Sequence, residues 1–221
     1  MATGLKNKQS FLIQKNWWLL KIFASKSPIW TLIFLAPLGV LFFLQISESI
    51  SLTQFITCTL VGIIWWTFLE YMIHRFFFHW MSTVKKLVYY IGSFHLYHHQ
   101  EPKDRRVYTS GIAPAILWSV VSMILFPLFF TYDESLLISS FTLLSYFIYE
   151  FAHYYAHVYE AKSGYLRLIQ QNHFHHHLNP KVNFGQTSPL WDFVFGTYEK
   201  ANIKINDSRK EFLYIEGKWN T

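Results

Sequence analysis

At 221 residues, 52% of them hydrophobic and 20% aromatic, the chain is long enough for one sizeable domain and too short for two. Its lone cysteine, Cys58, excludes an internal disulfide and any cysteine-based zinc or iron–sulfur site, so a metal would have to rest on nitrogen or oxygen; eleven histidines supply the nitrogen. The net charge of +6 would point to nucleic acid in a soluble protein, but the hydropathy directs it to a membrane surface, and no nucleic-acid partner is expected.

The N-terminal stretch 1–27 opens with Lys6, Lys8, Lys15 and Lys21 and lacks a cleavage site after its first apolar run, so it does not read as a secretory leader. Within it, Phe11 to Phe23 reads as an amphipathic helix lying at the interface, with Trp17 and Trp18 at headgroup depth. Four apolar runs follow: Ile29 to Ile46, Gln54 to Phe68, Ile112 to Phe130 and Leu136 to Ile148. Each approaches the ~20 residues that a bilayer crossing needs. The connections Ser47 to Ser51 and Thr131 to Glu134 are short enough to close helical hairpins. All 19 Lys and Arg fall in Met1 to Ser27, Arg75 to Gly111 or Val158 to Thr221, and neither connection carries one. The expected fold is therefore an all-α integral membrane protein of one domain, with four transmembrane helices in two hairpins, each followed by a cytosolic stretch, and both termini cytoplasmic. Pro37 and Pro127 read as tolerated kinks.

The histidines fall at the cytosolic ends of this topology. His74 and His79 follow the second run, His95, His98 and His99 lie in the middle cytosolic segment, His153 and His157 follow the fourth run, and His173, His175, His176 and His177 come last. At ~100° per residue His153 and His157 share a helix face, and so do the members of each HxxHH triplet. Setting His173 at ~0° puts His176 near ~300° and His177 near ~40°, while His175 falls near ~200° and points away. His74 and His79 would be ~140° apart on a regular helix, so the chain should bulge or end there if both are ligands. Ten imidazoles exceed the positions of one ion and imply two ions sharing a pocket. Imidazole suits iron, zinc and copper alike; an apolar substrate offering C–H bonds favours iron and O2.

Four carboxylates and two tyrosines accompany the clusters. Glu70 and Glu150, placed four and three residues before a histidine, are expected to hold a ligand's second ring nitrogen. Asp104 and Asp192 are candidates for supporting the ligands or binding a lipid headgroup, with loop and cap roles as the alternative. Tyr154 and Tyr155 are candidates for facing the substrate. A metal transporter or store is the non-enzymatic alternative, but such a protein should line its bilayer path with polar groups, and Leu32 to Phe43 and Trp118 to Phe130 carry no charge.

The spacing HX4H, HX2HH, HX3H, HX2HH resembles the fatty acid hydroxylase and sterol desaturase superfamily of membrane di-metal oxygenases. The stretches EYMIHRFFFH (Glu70 to His79), HLYHHQEPKDRRVY (His95 to Tyr108), YEFAHYYAH (Tyr149 to His157), YLRLIQQNHFHHH (Tyr165 to His177) and NFGQTSPLWDFVFGT (Asn183 to Thr197) are most similar to the fatty acid 2-hydroxylase branch. The resemblance implies four membrane helices under a cytosolic helical cap, in which His74, His79, His95, His98, His99, His153, His157, His173, His176 and His177 hold two iron ions, with zinc a possible occupant after purification. It implies O2-dependent hydroxylation at carbon 2 of a fatty acyl chain, often in a ceramide-type lipid; a sterol or carotenoid oxygenase of the same superfamily is the alternative. Many relatives carry a cytochrome b5 domain with a haem-binding His-Pro-Gly-Gly, absent from this sequence, so a separate electron donor such as cytochrome b5 or ferredoxin is expected.

Overall fold

The computed structural model describes residues 24–25, 27–46, 50–79, 94–99, 101–102 and 104–201. The expected interfacial helix at Phe11 to Phe23 and most of the Ser47 to Ser51 connection lie outside the described residues. The described residues are helical apart from loops and one isolated bridge between Ser25 and Thr109. We number the helices α1 (Pro28–Leu44), α2 (Leu52–Met72), α3 (Ile112–Leu125), α4 (Tyr132–Val158), α5 (Gly164–Leu178) and α6 (Leu190–Val194). Residues 94–99 form a further short helix.

Both long helices start from side chains suited to the task. Ser51 accepts from the Gln54 backbone amide while Gln54 receives the Ser51 amide, and Thr131 and Glu134 form the same reciprocal cap on α4. The two caps are joined, since Gln54 Nε2 donates to Glu134 Oε1 at 3.1 Å. The Thr131–Glu134 stretch is thus both the hairpin connection and the first turn of α4. Pro127 ends α3 rather than kinking it: without an amide hydrogen it cannot continue the ladder, and Phe126–Leu128 tightens into a 3-10 turn.

α4 is the central helix, with α1, α2 and α3 packed around it. One cluster joins Leu35, Trp66, Leu69, Ala115, Leu143 and Tyr146; a second joins Cys58, Phe126, Leu137 and Ile138 nearer the caps. α2 and α4 approach closely at Gly62, where an added Cβ would lie 2.6 Å from the Ile138 carbonyl oxygen and 2.9 Å from Phe141 Cβ. Because the obstacle is backbone, Gly62→Ala must push the helices apart; we expect a loss of ~1–3 kcal/mol, read as a lower thermal midpoint in detergent, and an unchanged midpoint would refute the close approach.

The segment Leu52–Phe78 and α4, 27 residues each, are long and apolar enough to cross a membrane, while α1 and the Ile112–Leu128 segment are shorter apolar helices. α2 and α4 both run past the apolar stretches read from the sequence, because the polar residues at their ends continue the helix and carry Glu70, His74, Glu150, His153 and His157 to the site.

Candidate metal centre

The five-residue spacing of His74 and His79 is met by a change of helix type. After Met72 the helix widens into a π-helix over Ile73–Phe78, and the His79 amide donates to the His74 carbonyl at 3.3 Å, an i→i+5 bond that brings both rings to one side. α5 is regular through Leu178, so His173, His176 and His177 turn inward, as does the 94–99 helix with His95, His98 and His99.

The ten imidazoles sort into two groups of five. His74, His79, His95, His99 and His176 have ligand atoms within 4.8 Å of one another, and so do His98, His153, His157, His173 and His177. Both triplets are divided, in opposite senses. The 94–99 helix gives its i,i+4 pair, His95 and His99, to the first group and His98 to the second; α5 gives its i,i+4 pair, His173 and His177, to the second and His176 to the first. The groups meet where the His99 and His177 rings stack, 4.3 Å apart. His175 belongs to neither group: it pairs with Glu199 at 3.2 Å and meets Asn183 at 3.4 Å.

The nitrogen geometry fits metal ions. His95 Nε2 lies 2.9 Å from His74 Nε2, 3.0 Å from His79 Nε2 and 2.9 Å from His99 Nε2. In the second group His157 and His177 Nε2 lie 2.7 and 3.0 Å from His173 Nε2, and His153 Nε2 lies 3.1 Å from His98 Nε2. One Nε2 carries a single proton or a single lone pair, so three such contacts at His95 cannot all be hydrogen bonds. Two nitrogens ~2.1 Å from one ion and ~90° apart are themselves ~3.0 Å apart, which is the spacing seen. The tautomers agree: His74, His153 and His176 place Nδ1 at 2.5, 2.8 and 2.7 Å from the carbonyls of Phe184, Tyr108 and Val182. A carbonyl only accepts, so Nδ1 carries the proton and Nε2 presents its lone pair inward. Burial pushes the His79 pKa down to about 4, and burial together with neighbouring imidazoles holds His95, His98, His99, His173, His176 and His177 well below the usual histidine range. Neutral rings are what a metal requires.

The carboxylates act differently from the expectation. Neither Glu70 nor Glu150 touches a histidine ring nitrogen. Glu70 Oε1 accepts from the Gln186 amide and, at 2.7 Å, the Thr187 amide, and Oε2 accepts from the Thr187 hydroxyl. Glu150 accepts from the Ser110 and Gly111 amides at 2.8 and 3.2 Å, with Thr31 Oγ1 at 3.5 Å. Asp192 receives the Phe184 and Gly185 amides and the Thr197 hydroxyl, so it shapes the loop that supplies the Phe184 carbonyl. Asp104 caps the Arg105–Val107 turn and binds Arg106 and Tyr97, the cap role. Tyr154 packs near the Tyr108 ring and Tyr155 between Phe151 and Tyr159.

A cavity of about 30 Å³ opens beside His74 between α2, α3 and α4, lined among others by Trp66, Phe78, Pro114, Trp118 and Tyr149. Neither Tyr154 nor Tyr155 lines it. In the sequence its aromatic walls look like any other part of an apolar helix. A larger cleft of about 260 Å³ between α1 and α4 has no histidine in its walls.

The ten histidines and both supporting loops fall inside one family signature. Residues 59–197 match the sequence profile described as fatty acid hydroxylase. The chain belongs to the fatty acid hydroxylase family. Among curated members of that family, a dihydroceramide fatty acyl 2-hydroxylase of Arabidopsis thaliana is 32% identical over 165 residues, covering 69% of this chain and 65% of the plant protein. The fatty acid 2-hydroxylase of Mus musculus is 33% identical over 168 residues, covering 73% of this chain and 44% of the mouse protein. The chain thus spans under two thirds of the plant relative and under half of the mouse one. Its fold matches a structure titled full-length scs7p with only the hydroxylase domain visible, at a TM-score of 0.71 and 22% identity over 85% of this chain and 72% of the other.

Proposed function

We propose that this chain is a membrane-embedded di-iron hydroxylase that uses O2 to place a hydroxyl at carbon 2 of a fatty acyl chain, in a free acid or a ceramide-type lipid. The observation that carries it is the partition of ten imidazoles, eight buried and two half-buried, into two five-nitrogen groups, each spaced for one ion. Named 2-hydroxylases among the relatives support the position on the chain. In this reading α1 to α4 form two membrane hairpins, and the histidine end, both termini and the basic segments face the cytosol. Exposed apolar side chains such as Trp30, Phe34, Leu117 and Ile124 support contact with lipid on the outer faces.

The overall change is C–H + O2 + 2 electrons + 2 protons → C–OH + H2O. Bound iron would supply the redox chemistry that activates O2. The chain's residues do the remainder. The ten histidines would hold the ions as neutral ligands. The cavity beside His74 offers an apolar slot for acyl methylenes, walled by Trp66, Phe78 and Trp118, that excludes water from the reacting carbon. A carbon next to a lipid headgroup lies at the helix ends where the histidines are. Electrons would come from a carrier of the cytochrome b5 or ferredoxin type. Cells making the protein should accumulate 2-hydroxy acyl lipids, and cells making His153→Ala should not; an unchanged acyl profile beside an altered sterol or carotenoid profile would transfer the activity to that substrate class.

A further inference from the structure

Two loops, one bonded to a histidine of each group, are held in the same way. Glu70 on α2 precedes His74, on the π-helix that continues α2, by one turn; on α4, Glu150 precedes His153 by one turn. The His74 ring is fixed by the Phe184 carbonyl, and Glu70 binds the amides of residues 186 and 187. The His153 ring is fixed by the Tyr108 carbonyl, and Glu150 binds the amides of residues 110 and 111. In both, the carboxylate takes the amides two and three positions beyond the carbonyl that its own helix's histidine uses. Glu70 is 4% exposed and Glu150 0%, and a buried carboxylate with these bonds is costly to leave unpaired.

We infer that Glu70 and Glu150 are positioning residues, each serving one metal: through the loop it clamps, Glu70 sets the His74 ring of the first site and Glu150 sets the His153 ring of the second. This rests on the two-metal reading above. It explains why each carboxylate lies on the helix of a ligand without touching that ligand. The ring must turn its Nδ1 toward a carbonyl that belongs to another segment, and the carboxylate anchors that segment to the helix carrying the ring.

The two clamps differ in a way that a substitution can read. Glu70 receives both amides on one oxygen, Oε1, and its other oxygen meets only the Thr187 hydroxyl, which can turn to accept instead of donate. A glutamine keeps this arrangement. Glu150 spreads its two amides over two oxygens, so a glutamine would turn its own N–H toward one of them.

The test is metal content per chain, measured by elemental analysis on purified, iron-reconstituted protein whose helicity matches wild type. We expect two ions in wild type and in Glu70→Gln, and one in Glu70→Ala, Glu150→Ala and Glu150→Gln. Combining Glu70→Ala with His74→Ala should still leave one ion, and combining it with His153→Ala should leave none. If wild type holds two ions but both alanine variants also hold two, or the two glutamine variants behave alike, the inference fails while the two-metal reading stands. If wild type does not hold two, the reading itself fails. Should an alanine variant not fold, the glutamine pair decides.

Discussion

His176→Ala should lose one of two metal ions and nearly all turnover, while His175→Ala keeps both ions and most of its activity. The two residues are neighbours on α5, yet His176 is fully buried, with Nδ1 on the Val182 carbonyl and Nε2 2.9 Å from His79 Nε2. His175 instead faces Glu199 and Asn183. Loss of an outer hydrogen-bond partner of a ligand costs ~10–100-fold in affinity or activity; loss of the ligand itself should exceed that. Metal analysis and lipid hydroxylation assays on the two purified variants read the effect. Metal loss in His175→Ala with retention in His176→Ala would show that α5 presents the opposite face.

Protein loaded with zinc alone should give no hydroxylated lipid, and the same protein reloaded with iron should recover it. The ligand set does not discriminate, since neutral imidazole binds both metals. The chemistry does, because zinc has no accessible second oxidation state with which to reduce O2. The expected contrast is therefore all or none, with bound metal measured in the same samples. Turnover by iron-free, zinc-loaded protein given O2 and a reductant would overturn the oxygenase mechanism.

The spacing of the histidines was legible because helix geometry is local: residues four apart share a face whatever surrounds them. A break from regular helix at His74 to His79 was legible for the same reason, since residues five apart diverge by ~140° on an α-helix; that it is a π-turn over Ile73–Phe78 and not an end was not. The division into two groups of five was not, because it depends on how the 94–99 helix and α5 cross, and nothing within HLYHH or HFHHH sets a crossing. The roles of Glu70 and Glu150 were misjudged on similar grounds. Their partners are backbone amides and carbonyls, which every residue has, so Gln186, Thr187, Ser110 and Gly111 send no signal by their side chains. Pro127 shows a different case: it reads from the sequence as a tolerated kink, and in the structure it ends α3, because a ring without an amide hydrogen allows either and the packing around it decides.

The reciprocal sharing of the two triplets bears on how the protein is made. The first site draws on His74 and His79, then His95 and His99, then His176 from α5; the second draws on His98, then His153 and His157, then His173 and His177. Neither set is complete until the ribosome has passed Leu178, and both are completed by the same helix. Synthesis proceeds at ~5–20 residues per second, so for several seconds the earlier histidines exist with no finished place for an ion. On the two-metal reading, loading would be deferred until α5 has been made, and a chain cut short before α5 should carry neither metal, not half of the pair.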